Sequence, residues 1–315
     1  MVLIINATDR FLAVFFAALA TGIYLCTLAY CIRWLVYTDE GWKIRKRINK
    51  TMLSGTLSIF ILSSIHTSFA VATSFETIRH MELGIVDDPN VALPWTAVVL
   101  CTMANTVVLI ADGFLIYRCW LVCFKSFSKI IFPCFFWVGG VVCTVLQAYW
   151  QIVQSAAIVT AWTPVNMDIG PGTILTPFWG STIVVNVYAT SVIVYTLWKT
   201  ARRDESKLSE STGQLLFIMR VIIESGALYL IMTIPHFIVW WTPSGTAILI
   251  LGWINVPVVG SAFNLIILRT SWHRAKEEGI EELGITAIQF NPPTGHSETL
   301  RTKDDTSSTA VSVTY

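Results

Sequence analysis

Charge is scarce in this chain. Only 13% of its 315 residues are Asp, Glu, Lys or Arg, about half the roughly 25% usual for a soluble globular domain. A chain with so few charges has too little to dress a water-facing surface, so the outside of its fold must meet lipid. The 21 basic and 20 acidic residues nearly cancel, and no basic stripe is present that would hold nucleic acid. Cysteine is sparse and unpatterned. The seven, at 26, 31, 101, 119, 123, 134 and 143, lie in or beside apolar segments and form no metal-ligand spacing. They predict neither a disulfide framework nor a zinc site, and no cofactor is expected.

Hydrocarbon is what the chain has in plenty, with 54% hydrophobic residues and thirteen tryptophans. About 20 mainly apolar residues cross about 30 Å of bilayer as a helix. Seven segments qualify: 11–37, 51–75, 95–122, 130–154, 177–198, 215–241 and 246–268. The first is too long, and lacks the small-residue cleavage site, for a removable signal peptide. The fold class expected is therefore all-α, a polytopic seven-helix transmembrane bundle.

Lysine and arginine set the orientation. Lys43, Arg45, Lys46, Arg47 and Lys50 lie in one loop, Lys125 and Lys129 in another, and Lys199, Arg202, Arg203 and Lys207 in a third. The alternate segments 1–10, 76–94, 155–176 and 242–245 hold only Arg10 and Arg79. This bias predicts a short extracellular N-terminus, 1–10, and a cytoplasmic tail, 269–315, in the plasma membrane. The "NAT" triplet makes Asn6 a glycosylation acceptor on that outer side. Trp34, Trp42, Trp120, Trp198 and Trp272 fall near the inner boundary, and Trp95, Trp150, Trp162, Trp179, Trp240 and Trp241 near the outer one. These are the two aromatic belts expected where indole meets headgroups. Past Leu268, "RTSWHRAKEEGIEELG" reads as a short surface helix with Trp272, Ile280 and Leu283 as apolar contacts. From about 286 the Ser, Thr, Pro and Asp content predicts disorder.

Ionisable groups inside spans cost about 2.5–3.5 kcal/mol each on insertion scales, so each is a candidate site. Asp112 and Arg118 stand in the third span, Arg220 and Glu224 in the sixth, His66 in the second and His236 in the sixth. Asp112 and Arg118 are six residues apart, about 120° around a helix, and so are poor partners for each other. Two arrangements are open for the others. Arg118 and Glu224, at comparable depth, bridge spans three and six, or Arg118 snorkels while Glu224 pairs with Arg220 one turn away. Asp112 is deeper still, as a polar contact or as an ion or proton site. Gln147, Gln151 and Gln154 share one face of the fourth span. With Trp95, Trp150, Trp179, Trp240 and Trp253 near in depth, they outline a ligand cavity, or else they only bind neighbouring helices. Pro235 and Pro257 lie within spans six and seven as candidate hinges.

The seventh span holds no lysine, which excludes a retinal Schiff base there. No nucleophile with a base, no carboxylate pair and no metal set is legible, so an enzyme is not expected. "SSIHTSF", "ADGFLIYRCW" and "RVIIESGALYL" together resemble a group of seven-span membrane proteins from mushroom-forming fungi, the basidiomycetes. The resemblance covers most of 1–276 and implies integral membrane location without an established ligand or reaction. The topology is also similar to that of G-protein-coupled receptors, with Arg118 where such receptors carry an arginine at the inner end of span three. This sequence departs from them in having no acidic residue directly before Arg118 and no cysteine in 76–94 or 155–176. What the likeness implies is a receptor-like sensor of a small molecule, with a heterotrimeric G protein as partner and Arg118, Glu224 and Arg220 as its switch. The alternative is a transporter, channel or structural membrane protein in which Asp112 marks a solute path.

Overall fold

A computed structural model describes residues 7–37, 44, 50–83, 95–153, 171–204, 209–242 and 245–288. Seven helices account for nearly all of them: α1 (Ala7–Val36), α2 (Lys50–Glu82), α3 (Trp95–Val122), α4 (Ile131–Val153), α5 (Pro171–Asp204), α6 (Ser209–Val239) and α7 (Gly245–Ile288). A 3-10 turn, Phe127–Lys129, precedes α4, and an isolated bridge joins Tyr37 to Ile44. Among the described residues, seven helices are long and apolar enough to cross a membrane. The chain is an integral membrane protein.

Several helices run past the hydropathy-defined spans. α2 has 33 residues, about 50 Å at 1.5 Å per residue, against about 30 Å of hydrocarbon. Hydropathy marks the lipid-immersed part, whereas backbone hydrogen bonding continues until a breaker or a cap stops it. α5 begins at Pro171, where a missing N–H costs nothing, and carries Pro177 inside. The residues of the expected surface helix are helical, within the bounds of α7. Asn6, Gln154 and the tail beyond 288 lie outside the described residues.

Side-chain pairs fix how the helices run. Gly55 faces Phe114 while Phe69 packs on Trp95, so α2 and α3 are antiparallel. Asn105 meets Gln147 and Gly113 meets Trp137, so α3 and α4 are antiparallel. Asp112 meets Thr182 and Cys123 meets Thr196, which makes α3 and α5 parallel. Gly226 abuts Thr190 and His236 abuts Trp179, which turns α6 against α5. Tyr24 packs at Gly260 and Thr27 meets Asn264, so α7 runs parallel to α1. α3 therefore touches α2, α4, α5, α6 through Tyr229, and α7 through Phe263. α7 is the most enclosed span, with 61% of its apolar window buried, against 22% for α4.

Many hydroxyls inside the spans are satisfied on their own helix. Thr21, Thr56, Ser74, Thr106, Thr144, Ser225, Thr233 and Ser261 each donate to the carbonyl four residues earlier. Such bonds matter where no water is at hand to take their place. α3 ends in a Schellman motif, with Lys125 N–H donating to Trp120 O at 2.9 Å and Phe124 N–H to Leu121 O at 3.2 Å. Phe124 and Lys125 adopt φ of 55° and 59° there, a left-handed conformation that costs a non-glycine residue about 1–2 kcal/mol.

Two aromatic rings fill glycine notches, Phe114 at Gly55 and Tyr24 at Gly260. A Cβ on Gly260 would lie 2.6 Å from the Tyr24 ring, whereas nothing lies within 4 Å of one on Gly22. Gly260→Leu is therefore expected to lose about 1–3 kcal/mol to overpacking, with a lower melting temperature in detergent, while Gly22→Leu melts like wild type. Equal melting of the two variants would refute the notch.

Candidate functional site

The inner face of α3 is read at intervals of three and four residues: Cys101, Asn105, Val108, Asp112, Ile116 and Cys119. Asp112 is its deepest charged group, 2% exposed. Both carboxyl oxygens accept a hydrogen bond from another helix. Thr182 Oγ1–H donates to Oδ2 at 3.0 Å from α5, and the Tyr229 hydroxyl donates to Oδ1 at 3.2 Å from α6. Hydrogen bonds to a charged acceptor are worth about 1.5–3 kcal/mol each, which offsets much of the cost of taking a carboxylate from water. One aspartate thus ties three spans together.

From Asp112 toward the end where α3 begins, polar side chains recur among the apolar core. Two turns up α3, Asn105 Nδ2–H donates to Gln147 Oε1 at 2.6 Å. Gln151, one turn further along α4, is buried as well, and Cys101 lies beside both glutamine amides. On α6, His236 stands seven residues above Tyr229, on the same face. Its ring centroid is 4.4 Å from that of Trp179 on α5 and 6.3 Å from that of Trp240, and its Nε2 faces Gly252 of α7. From Asp112 to Cys101 this polar column is about 16 Å long by helix rise.

Several of its atoms are buried without a hydrogen-bond partner: Gln147 Nε2, Gln151 Oε1, Trp179 Nε1 and His236 Nδ1, with Trp253 Nε1 and both Asn255 amide atoms nearby on α7. Each such group costs about 1–3 kcal/mol. Further unpartnered buried atoms, Asn186 Oδ1 and Thr190 Oγ1, lie on α5 on the other side of Asp112. In the opposite direction from Asp112 the contact between α3 and α5 turns apolar. Cys119, Cys123, Ala189 and Ile193 form an apolar cluster there, with Leu115, Val192 and Ile222 against it, and Asn186, Thr196 and Ser225 are buried at nearby levels.

Other sequence candidates sit elsewhere. Trp95 is 65% exposed and packs edge-on against Phe69 at the outside of the bundle, apart from the column. Trp150 is half-buried. Trp253 is enclosed, but among Ala13, Ala17, Ala70, Leu100 and Leu249. His66 is buried on α2. Glu224 takes its hydrogen bond from Arg220 Nε at 2.8 Å, one turn away on α6, with the two side chains 41% and 80% exposed. Arg118 points its guanidinium at the Met52 sulfur, 3.9 Å away, and at the Phe263 ring, 5.9 Å away. Of the two arrangements open in the sequence, the described geometry is the within-helix pair, because residues four apart on one helix meet without any movement of the bundle. Pro235 is exposed on α6 and Pro257 buried in α7, both inside continuous helix.

Sequence reasoning missed Asn105, Thr182 and Tyr229. Asn105 had a signal, since its spacing of seven from Asp112 puts it on the same face. Thr182 and Tyr229 had none, being ordinary hydroxyl residues in apolar spans. Among the described residues no three His, Cys, Asp or Glu side chains gather as a metal-holding group.

Tyr229→Phe removes one donor from Asp112 and should cost about 1–3 kcal/mol, the penalty of a buried acceptor left short. Glu224→Gln should cost under about 0.5 kcal/mol, since an exposed i,i+4 pair is worth little. Detergent melting of both variants checks this, and a larger loss in Glu224→Gln would show that Glu224, rather than Asp112, holds α6.

No family model, curated protein or solved structure matches this chain.

Proposed function

We propose that the chain is a receptor-like sensor of a small molecule, set in the plasma membrane with its N-terminus outside, in the group of seven-span proteins of mushroom-forming fungi that it resembles. The observation that carries this reading is the polar column beside Asp112. Unpartnered buried donors and acceptors gather on α4, α5 and α6 beside aromatic rings, the mix of groups that a small-molecule site uses.

Signal transfer would run through α6. Its inner face carries His236, Thr233 and Tyr229 in one stripe, so a ligand that displaces His236 moves the helix holding the Tyr229–Asp112 bond. Pro235 removes a backbone hydrogen bond next to His236, which makes α6 easiest to bend at that level. The ligand shifts the balance between the two arrangements only by its differential affinity for them. Arg118, at the other end of α3, would meet a heterotrimeric G protein on the basic face.

The alternative, a transporter or channel, has Asp112 in its favour, a carboxyl held deep in the bundle. The two readings part experimentally. Purified gently from fungal membranes, the wild-type protein should carry a G-protein α subunit that guanine nucleotide releases, and Tyr229→Phe should change the retained amount by about threefold or more. Absence of the subunit from both, while both melt cooperatively, together with solute flux in vesicles that Asp112→Asn abolishes, would overturn the sensor in favour of transport.

A further inference from the structure

We infer that the column is built for a neutral, largely apolar molecule carrying a carbonyl or hydroxyl oxygen. The inference rests on the sensor reading of the same site and names the ligand class for it. Donors are the first argument. Trp179 Nε1–H can only donate, it is buried, and no acceptor among the described residues meets it. Gln147, whose Oε1 is taken by Asn105, offers Nε2–H from the facing helix. A ligand oxygen that accepts from either group relieves a buried donor. Gln151 Oε1, further along α4, is positioned to accept from a ligand hydroxyl.

Charge is the second argument. Among the described residues of the column Asp112 is the one carboxylate, and both its oxygens are already engaged by Thr182 and Tyr229. A cationic ligand would have to break that junction. An anionic ligand would find no lysine or arginine there, and its burial unpaired would cost several kcal/mol. His236, the one imidazole in the column, is held between the Trp179 and Trp240 rings and 4% exposed, so a charge on it would itself be desolvated. The third argument is the wall. Those same two indoles, with the Phe178 ring packed edge-on to Trp179 at 5.1 Å, present apolar faces that suit a hydrocarbon skeleton.

The test uses the full chain in phosphatidylcholine nanodiscs and four tritiated probes with the same carbon skeleton length: decan-2-one, decan-1-ol, decanoate and decylammonium. Saturable binding is measured over empty nanodiscs. The ketone and alcohol should bind saturably, with decanoate and decylammonium weaker by about tenfold or more, the factor that corresponds to about 1.4 kcal/mol. Trp179→Phe keeps the ring and loses the donor, so the ketone should weaken about fivefold, the order of one neutral hydrogen bond. Trp95→Phe, on the lipid face, should change nothing. If Trp179→Phe fails to fold, Gln147→Leu carries the same expectation. Tightest binding by decylammonium, lost in Asp112→Asn, would overturn the neutral class and leave the sensor reading standing. Tightest binding by decanoate, or no saturable binding by any probe, would also overturn it, while G-protein retention judges the sensor reading separately.

Discussion

A carboxyl group buried where the surroundings are hydrocarbon is the constraint on which this bundle turns. Asp112 cannot be left without donors, because a lone carboxylate in a low-dielectric interior costs far more than the few kcal/mol by which a fold is stable. Its donors come from α5 and α6. The requirement to satisfy one side chain therefore decides that three spans meet at a common point and that α3 lies inside the bundle. Polar groups lie above it on α3, α4 and α6, and an apolar cluster of α3 and α5 lies below it.

Elsewhere the bundle holds together with little polarity. In lipid no hydrophobic force drives one apolar helix onto another, so association relies on close packing and on a few hydrogen bonds between helices. Hydroxyls mostly turn back on their own helix, which leaves the interhelical contacts to rings in notches and to a small number of amides. Trp137 illustrates the economy. Its indole covers Gly113, and its Nε1–H donates to the Leu109 carbonyl at 2.8 Å, so one residue packs and ties α4 to α3. Phe114 at Gly55 and Tyr24 at Gly260 do the packing part of this for α2 and α7.

Much of this fold was legible in the sequence, and the reason is physical. A span is a local property, set by some twenty consecutive residues, so hydropathy found all seven helices. The Arg220–Glu224 pair was legible too, because four residues on one helix place two side chains together whatever the rest of the chain does. The partners of Asp112 were not. Thr182 and Tyr229 lie 70 and 117 residues away, and only the packing of the bundle selects them from many similar hydroxyls. Tryptophan misled in part for a related reason. Trp95, Trp179 and Trp240 share a depth, which hydropathy reports, but they differ in which way they face, so Trp95 lies on the outside while the other two lie within. The glutamine stripe fared better, since helical spacing gives direction as well as depth, and Gln147 and Gln151 point inward together.

The polar column should admit water from the end where α3 begins and none beyond Asp112. Cysteine accessibility tests it most directly. In oriented proteoliposomes, with the native cysteines replaced, Gln147→Cys and Ile193→Cys would each be exposed to a membrane-impermeant thiosulfonate from either side. The account predicts that the cysteine at 147 reacts from the side where α3 begins, and that the one at 193 reacts from neither. Labelling of 193 from the opposite side, alongside labelling of 147, would reveal a continuous aqueous path and contradict it.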